Sequence, residues 1–245
     1  SSNELDELIK KEGIMCPSCN SDDWKDAAPM NLMFQTSIGA MGGSRTAFLR
    51  PETAQGMFML FPALYRHFRQ KFPFGAMQTG KGYRNEISPR QGMIRLREFN
   101  MAELEYFIDP EEPPTADLSK WSQIVSMIPD PEGPHPSQVE VSFKEAFEAG
   151  IVRHPTVAWF LAMTLDFLET VGIDRKKIRF RQHASSEMAH YASDCWDCEL
   201  MGEHGWVEVV GIANRTCHDL ESHEEHSKSN LLRGWRKFEH SVKQR

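Results

Sequence analysis

Arg95-Leu96-Arg97-Glu98-Phe99-Asn100-Met101-Ala102-Glu103 reads as a strand with an unusual face. A strand sends alternate side chains to opposite sides, so Arg95, Arg97, Phe99, Met101 and Glu103 share one of them. Over roughly 26 Å, at about 3.3 Å per residue, that face carries guanidiniums, an aromatic ring and a carboxylate where a structural strand would carry aliphatic residues. It suits a long, polyanionic, aromatic ligand. Phe74 to Glu86 reads as the partner strand, and the same parity points Gln78, Gly80, Gly82, Arg84 and Glu86 one way. Glycines beside an arginine in a strand leave room for close approach of a ligand. A surface hairpin with solvated charges and a bulge accounts for the same residues, so the spacing alone leaves both readings standing.

Outward from this hairpin, Phe74 to Glu86 and Met93 to Ile108 are the two strands and Ile87 to Gly92 connects them. Pro51, at a first helical position, opens an apolar, aromatic-rich stretch to about Gln70 that predicts a helix. The polar, Pro-rich run from Asp109 to Ser137 predicts a loop or insertion boundary. Thr156 to Val171 has apolar residues on a helical period, with Thr156 as N-cap and Gly172 just past the end. Ser186 to Ala192 predicts a second short helix, and the Val- and Ile-rich Gly205 to Arg215 a largely buried strand. Strands and helices come in runs without regular alternation, which predicts an α+β domain built on an antiparallel sheet flanked by helices.

The chain has 245 residues, 40% of them hydrophobic and 26% charged, with a net charge of −7. It is long enough to bury a sizeable core, and its charge excludes a generally basic nucleic-acid module, so any nucleic-acid contact is local. Ser1 to Glu12 lacks the apolar stretch of a signal peptide, and no run approaches the roughly 20 apolar residues that span a membrane. A cytoplasmic address without membrane contact is expected. The five cysteines are an odd number and fit reduced thiols.

The order of several long motifs narrows the function. Tyr83-Arg84-Asn85-Glu86-Ile87-Ser88-Pro89-Arg90, followed by Arg95-Leu96-Arg97-Glu98-Phe99, resembles motif 2 of class II aminoacyl-tRNA synthetases. Phe34-Gln35-Thr36-Ser37-Ile38-Gly39, Leu49-Arg50-Pro51-Glu52-Thr53-Ala54-Gln55-Gly56, Met101-Ala102-Glu103-Leu104-Glu105, Glu187-Met188-Ala189-His190-Tyr191-Ala192 and Gly205-Trp206-Val207-Glu208 through Arg215 resemble the glycyl member of that class, in its archaeal and eukaryotic dimeric form. The resemblance covers nearly all of Asn31 to Asp109 and Arg181 to Leu220. It implies the class II catalytic fold and a glycine-tRNA ligase that forms glycyl-adenylate from glycine and ATP and passes it to tRNA(Gly), as a homodimer.

Carried over residue by residue, the resemblance implies that Arg84 contacts the ATP α-phosphate and the glycine carboxylate, and is the catalytic residue. Glu86 lies near the adenine amino group, Phe99 stacks on adenine, and Arg95 holds the γ-phosphate of a bent ATP. Glu52 and Glu103 bind the glycine ammonium, and Arg215 lines the amino-acid end. Each role suits its side chain: fixed guanidiniums stabilise charge growing on the α-phosphate, and the substrate carboxylate is already an anion, so no general base is needed. The alternative reading of Glu52 is a charge at a helix N-terminus, stabilised by the macrodipole. Magnesium accompanies ATP, with Glu208 a candidate ligand.

Cys16-Pro17-Ser18-Cys19 and Cys195-Trp196-Asp197-Cys198 are two CxxC pairs, enough thiolates for one tetrahedral zinc site, although the long separation and the family's usual Asp-Cys-Trp-Asp-Ala leave the pairing open. His183, His190 and His204 have no metal-ligand spacing, and His218 to His226 reads as a charged tail. The expected organisation is residues 1–110 as the first part of a catalytic domain with motif 2, 111–180 as an insertion region that reaches toward the tRNA acceptor stem, and 181–245 as the remainder of the catalytic core. Motif 1, motif 3 and the anticodon-binding domain of the family are not found, and Asn214 replaces the usual Asp before Arg215. Three explanations stay open: an excerpt of a longer enzyme, a sequence collapsed across gaps, or a truncated synthetase-derived paralogue acting as a non-catalytic binding or regulatory protein. An adenylate-binding protein unrelated to translation is the reading from another class.

Overall fold

A computed structural model describes residues 2–28, 30–40, 43, 45–87, 89, 94–114, 117–135 and 137–229. Ser88, Arg90 and most of the loop expected at 87–92 lie outside the described residues, as do Met93, the expected start of the second strand, and the charged segment 230–245. The chain packs as two compact units.

The first unit comprises the described residues of Ser1–Glu52 and Gly80–Met101. It begins with helix α1 (Ser2–Lys11), whose residues are all at least partly exposed. Strands β1 (Gln35–Ile38) and β2 (Arg45–Phe48) pair antiparallel, Gln35 opposite Phe48 and Ile38 opposite Arg45.

The second unit comprises Thr53–Thr79 and the described residues from Ala102 onward. The single helix expected from Pro51 to Gln70 is instead two, α2 (Ala54–Met59) and α3 (Phe61–His67), meeting at Leu60. Pro62 is the reason: it has no N–H to give the Phe58 carbonyl, so one continuous helix cannot pass. Phe58, Phe61 and Tyr65 pack with Phe74 and Phe107 in a small aromatic core, Phe61 and Phe107 having ring centroids 5.0 Å apart.

Strands β3 (Phe74–Tyr83) and β4 (Glu98–Phe107) form the expected hairpin sheet, with shorter arms than predicted. Arg84 and Glu86 lie past the end of β3, and Arg95 and Arg97 lie before the start of β4. The parity argument therefore holds for Phe99, Met101 and Glu103, all half-buried between exposed neighbours, and does not reach Arg95.

The larger core belongs to a five-stranded sheet ordered β6-β5-β7-β8-β9, where β5 is Val125–Ile128, β6 Val139–Val141, β7 Ile178–Gln182, β8 Asp194–Gly202 and β9 Gly205–Asn214. Neighbours are antiparallel except β5 and β7, which run parallel. The connection between those two carries β6, α4 (Phe143–Glu148) and α5 (Pro155–Thr170). Residues 111–180 thus supply β5, β6 and both helices to this core, and the Pro-rich run read as loop contains β5 itself. Its short apolar Val125-Ser126-Met127-Ile128 is hidden in the sequence by the prolines around it.

Helix α5 buries Val157, Ala158, Leu161, Ala162, Leu165 and Leu168 along one face, against Phe180, Trp196 and Cys198 of the sheet. Its N-cap is His154, two residues before the expected Thr156: His154 Nδ1 accepts from the Thr156 N–H at 3.2 Å, and Pro155 takes the first helical position. Gly172 stands past the end as expected, at φ 95°. α4 is closed by a reciprocal cap between Ser142 and Glu145.

The expected helix at Ser186–Ala192 is absent; the segment is a series of turns, fastened by Arg181 to Glu187. β9 forms where predicted, but it alternates: Val210 and Ile212 pack on the core while Glu208, Gly211 and Ala213 are exposed. A final helix, α6 (His218–Ser227), occupies the stretch read as a charged tail, and its Asp219 is buried.

Candidate functional site

In the first unit, the two arms of the hairpin are zipped together beyond their strands. The Arg84 N–H donates to the Arg97 carbonyl at 3.0 Å, and the Arg97 guanidinium donates through Nε and Nη2 to the Glu86 carbonyl at 3.2 and 3.0 Å. Arg97, one of the guanidiniums that parity turned toward a ligand, is thus used to close the hairpin. Asn85 is bound to the Leu32 and Asn31 carbonyls through its backbone and side-chain N–H groups respectively.

Arg84 is left exposed, its Nε–H donating to the Pro51 carbonyl at 3.2 Å and its guanidinium carbon 5.4 Å from the centre of the Phe99 ring. Arg50 braces the same arm by donating to the Lys81 carbonyl at 2.9 Å. Gly82 explains how Phe99 comes to lie there. A Cβ at Gly82 would stand 2.8 Å from Met101 Sδ and 3.0 Å from the Phe99 ring, so the space expected for a ligand is taken by these side chains. Glu52 and Glu86 are half-buried, and Arg95 is exposed.

In the second unit, Glu103 Oε2 accepts from both the N–H and the hydroxyl of Thr53, the N-cap residue of α2, at 2.6 and 2.5 Å. Those donors orient the carboxylate. Arg215 is held on several sides. Its Nε and Nη2 donate to the two oxygens of Asp219 at 2.7 and 2.9 Å, and its guanidinium lies 4.1 Å from the Tyr191 ring centre and 5.3 Å from that of Phe58. Gln55 Nε2 donates to Asp219 Oδ1 at 3.1 Å, and His223 Nε2 lies 3.0 Å from Gln55 Oε1. Burial works to raise the Asp219 carboxyl, and the bonds from Arg215 and Gln55 outweigh it, so the group is held below its ordinary value. Burial likewise acts against the Arg215 charge and is overcome by Asp219, which raises the guanidinium further. Asp219 and Tyr191 were not singled out in the sequence, where only the four-residue spacing of Arg215 and Asp219 hinted at a pair.

The face of the five-stranded sheet turned away from α5 is polar. Arg181 reaches Glu187 at 2.8 Å, Asp197 at 2.7 Å and Glu199 at 3.4 Å; Arg179 pairs with Glu199 at 2.5 Å and lies 4.1 Å from the Trp206 ring centre. Glu208 stands opposite Glu199 in the β8–β9 register, and the place of a Gly211 Cβ is 3.6 Å from its Oε1. Glu199 is thus engaged by two arginines, and Glu208 opposite it is exposed.

The CxxC spacing of Cys195 and Cys198 does not make a chelate. Both lie in the regularly paired part of β8, where a separation of three sends them to opposite faces. Cys198 is buried with Trp196 in the apolar core, Cys195 is on the polar face, and burial is the main force that pushes each thiol up to about 12. The zinc ligation expected of them as a pair is corrected accordingly. On the polar face Cys195 instead groups with His183 and Asp197, ligand atoms within 4.8 Å of one another, a cluster the sequence did not suggest. His183 and Cys195 meet because the ladder continues past β7, the His183 N–H donating to the Cys195 carbonyl at 2.9 Å. Asp197 is already engaged there, by Arg181 and by His183 Nε2 at 2.9 Å.

A family model described as the tRNA synthetase class II core domain (G, H, P, S and T) matches residues 41–217. The chain is 53% identical over 233 residues to a protein of Methanocaldococcus jannaschii named glycine–tRNA ligase, covering 91% of this chain and 40% of that protein. Proteins of the same name from Methanothrix thermoacetophila and Archaeoglobus fulgidus are 49% and 51% identical, over 94% and 85% of this chain and 40% and 36% of theirs. The chain therefore spans about two-fifths of the length of these curated relatives.

Proposed function

The chain belongs to the tRNA synthetase class II core-domain family, and from that premise we propose that it is the catalytic core of a glycine-tRNA ligase. The observation that carries the reading is the hairpin carrying motif 2: an exposed Arg84, anchored through Nε on Pro51, beside the Phe99 ring. The shared name of its archaeal relatives supports glycine as the amino acid.

In this reading one carboxylate oxygen of glycine attacks the ATP α-phosphorus, the bond from that phosphorus to the bridging oxygen breaks, and pyrophosphate leaves with the electron pair. A ribose hydroxyl at the tRNA 3′ end then attacks the carbonyl carbon, gives up its proton, and AMP departs. Arg84 stabilises charge on the α-phosphate as it grows, Phe99 stacks on adenine, Glu86 accepts from its amino group and Arg95 meets the γ-phosphate. Glu52, Glu103 and Arg215 keep the glycine-binding roles that their motifs imply. Magnesium bound with ATP neutralises phosphate charge, and Glu208 would hold it. Catalysis rests on positioning and fixed charge, with no nucleophilic side chain.

Glycine offers no side chain to grip, and a single methyl is worth only about 1–3 kcal/mol in a permissive pocket, so selection is by crowding against a β-carbon. Residues 111–180 are the part assigned to tRNA, the whole protein acts as a homodimer in the cytoplasm, and no helix among the described residues is long and apolar enough to cross a membrane. The test is amino-acid-dependent exchange of pyrophosphate into ATP with glycine, alanine and serine. Exchange with glycine alone is expected. Equal exchange with alanine would overturn the assignment to glycine, and no exchange in a folded sample would favour the non-catalytic paralogue. Light scattering of the whole protein is expected to give a dimer, and a clean monomer would contradict that part.

A further inference from the structure

The first unit has very little core: no described residue from 2 to 52 is buried, those of α1, β1 and β2 included. Ile14, Met15, Trp24, Leu32 and Met33 are exposed apolar side chains in its long irregular segment between α1 and β1. Such a segment needs a fastening other than apolar burial, and a bound metal is a common one.

Cys16-Pro17-Ser18-Cys19 sits in that segment as a tight knuckle. The Asn20 N–H donates to the Cys16 carbonyl at 2.8 Å, the Cys16 N–H to the Ser21 carbonyl at 2.9 Å, and Asn20 takes the left-handed conformation, at φ 56°, that turns the chain back. Both cysteines are free thiols, Cys16 half-buried and Cys19 exposed. Two free thiols three residues apart on one tight turn have the spacing by which a knuckle offers two sulfurs to a single cation.

We propose that Cys16 and Cys19 are two thiolate ligands of one soft divalent cation, zinc by its preference for sulfur, which fastens the segment between α1 and β1. Each thiol gives its proton to solvent as its sulfur binds the metal, and water or further ligands complete the tetrahedron. Cys195 and Cys198 take no part, because they lie on opposite faces of β8. The inference does not depend on the ligase reading.

The probe is cobalt(II) chloride, added anaerobically to the chain after its thiols are titrated as fully reduced. A near-ultraviolet thiolate-to-cobalt band is expected, saturating at one cobalt per chain and abolished by added zinc chloride. The band is expected to be lost in Cys16→Ser and in Cys19→Ser, and to persist undiminished in Cys195→Ala. Zinc is also expected to slow tryptic cleavage in the stretch from α1 to β1 of the wild type and not of Cys16→Ser. No band in the reduced wild type, a band that survives in the Cys16→Ser/Cys19→Ser double variant, or its loss in Cys195→Ala would overturn the proposal. Neither serine variant removes a buried side chain, so a folded sample is expected for both.

Discussion

The first unit exposes Arg84 at the end of a hairpin arm, with its Nε on a backbone carbonyl, whereas the second holds Arg215 against a buried carboxylate and between aromatic rings. The same side chain is left accessible in one place and immobilised in the other. An arginine that must meet a phosphate keeps donors directed outward, at no cost to the fold. An arginine that must present charge at one fixed point is satisfied by its own protein, so its surroundings depend on it for stability. The difference separates catalytic from structural consequences of mutation.

The largest effect that would sharpen this contrast is in Arg84→Ala. Glycine-dependent exchange is expected to fall about 10²–10³-fold, the usual consequence of removing a preorganised charge-stabilising donor. Its urea midpoint should stay close to wild type, since an exposed side chain contributes within about 0.5 kcal/mol. On the other side, Asp219→Ala leaves Arg215 without its counter-charge. It should cost about 3 kcal/mol in urea unfolding, the low end for breaking a buried pair, because 19% of the Arg215 side chain stays exposed. The Asp219 carboxyl is held below its ordinary value, so its contribution is complete above pH ~4 and is lost as pH falls through the lower folded value. Acid unfolding of the wild type should include this step, and that of the variant should not.

What the sequence displayed was whatever local chemistry decides. The period of Thr156 to Val171 and the glycine after it locate α5, and the β-branched run after Gly205 locates β9. The motif residues Arg84 and Phe99 could be named because the motif 2 pattern they resemble is contiguous in the chain. What it concealed depends on neighbours distant in sequence or on a single missing group. One absent N–H at Pro62 splits a helix, and Arg97 is drawn from the ligand-facing set by a carbonyl on the opposite arm. Cys195 and Cys198 look like a chelate until the sheet fixes their parity, and Asp219 looks like one charge among many until Arg215 folds onto it.

Smaller effects test the supports of each region. Gly82→Ala would force Phe99 and Met101 to move, so the KM for ATP in exchange should rise several-fold, from about 1 kcal/mol of overpacking, while the KM for glycine changes less. An unchanged KM for ATP would detach Phe99 from nucleotide binding. In the second unit, burial lowers the His154 imidazole against the pull of Asp194, and its Nδ1 caps α5 only while unprotonated. Below the ordinary value of 6.5 the unfolded chain takes up a proton before the folded one does, so this stability is lost as pH falls. His154→Asn, a cap that does not titrate, should flatten the stability–pH curve on the acid side by up to about 1 kcal/mol.

The most direct test of the contrast is glycine-dependent pyrophosphate exchange and urea midpoint measured together for the wild type, Arg84→Ala and Asp219→Asn. The account predicts that the variants separate, Arg84→Ala losing exchange with an unchanged midpoint and Asp219→Asn losing stability. If exchange simply followed the midpoint across all three proteins, or if Arg84→Ala kept its exchange, the assignment of phosphate chemistry to the exposed arginine would be wrong.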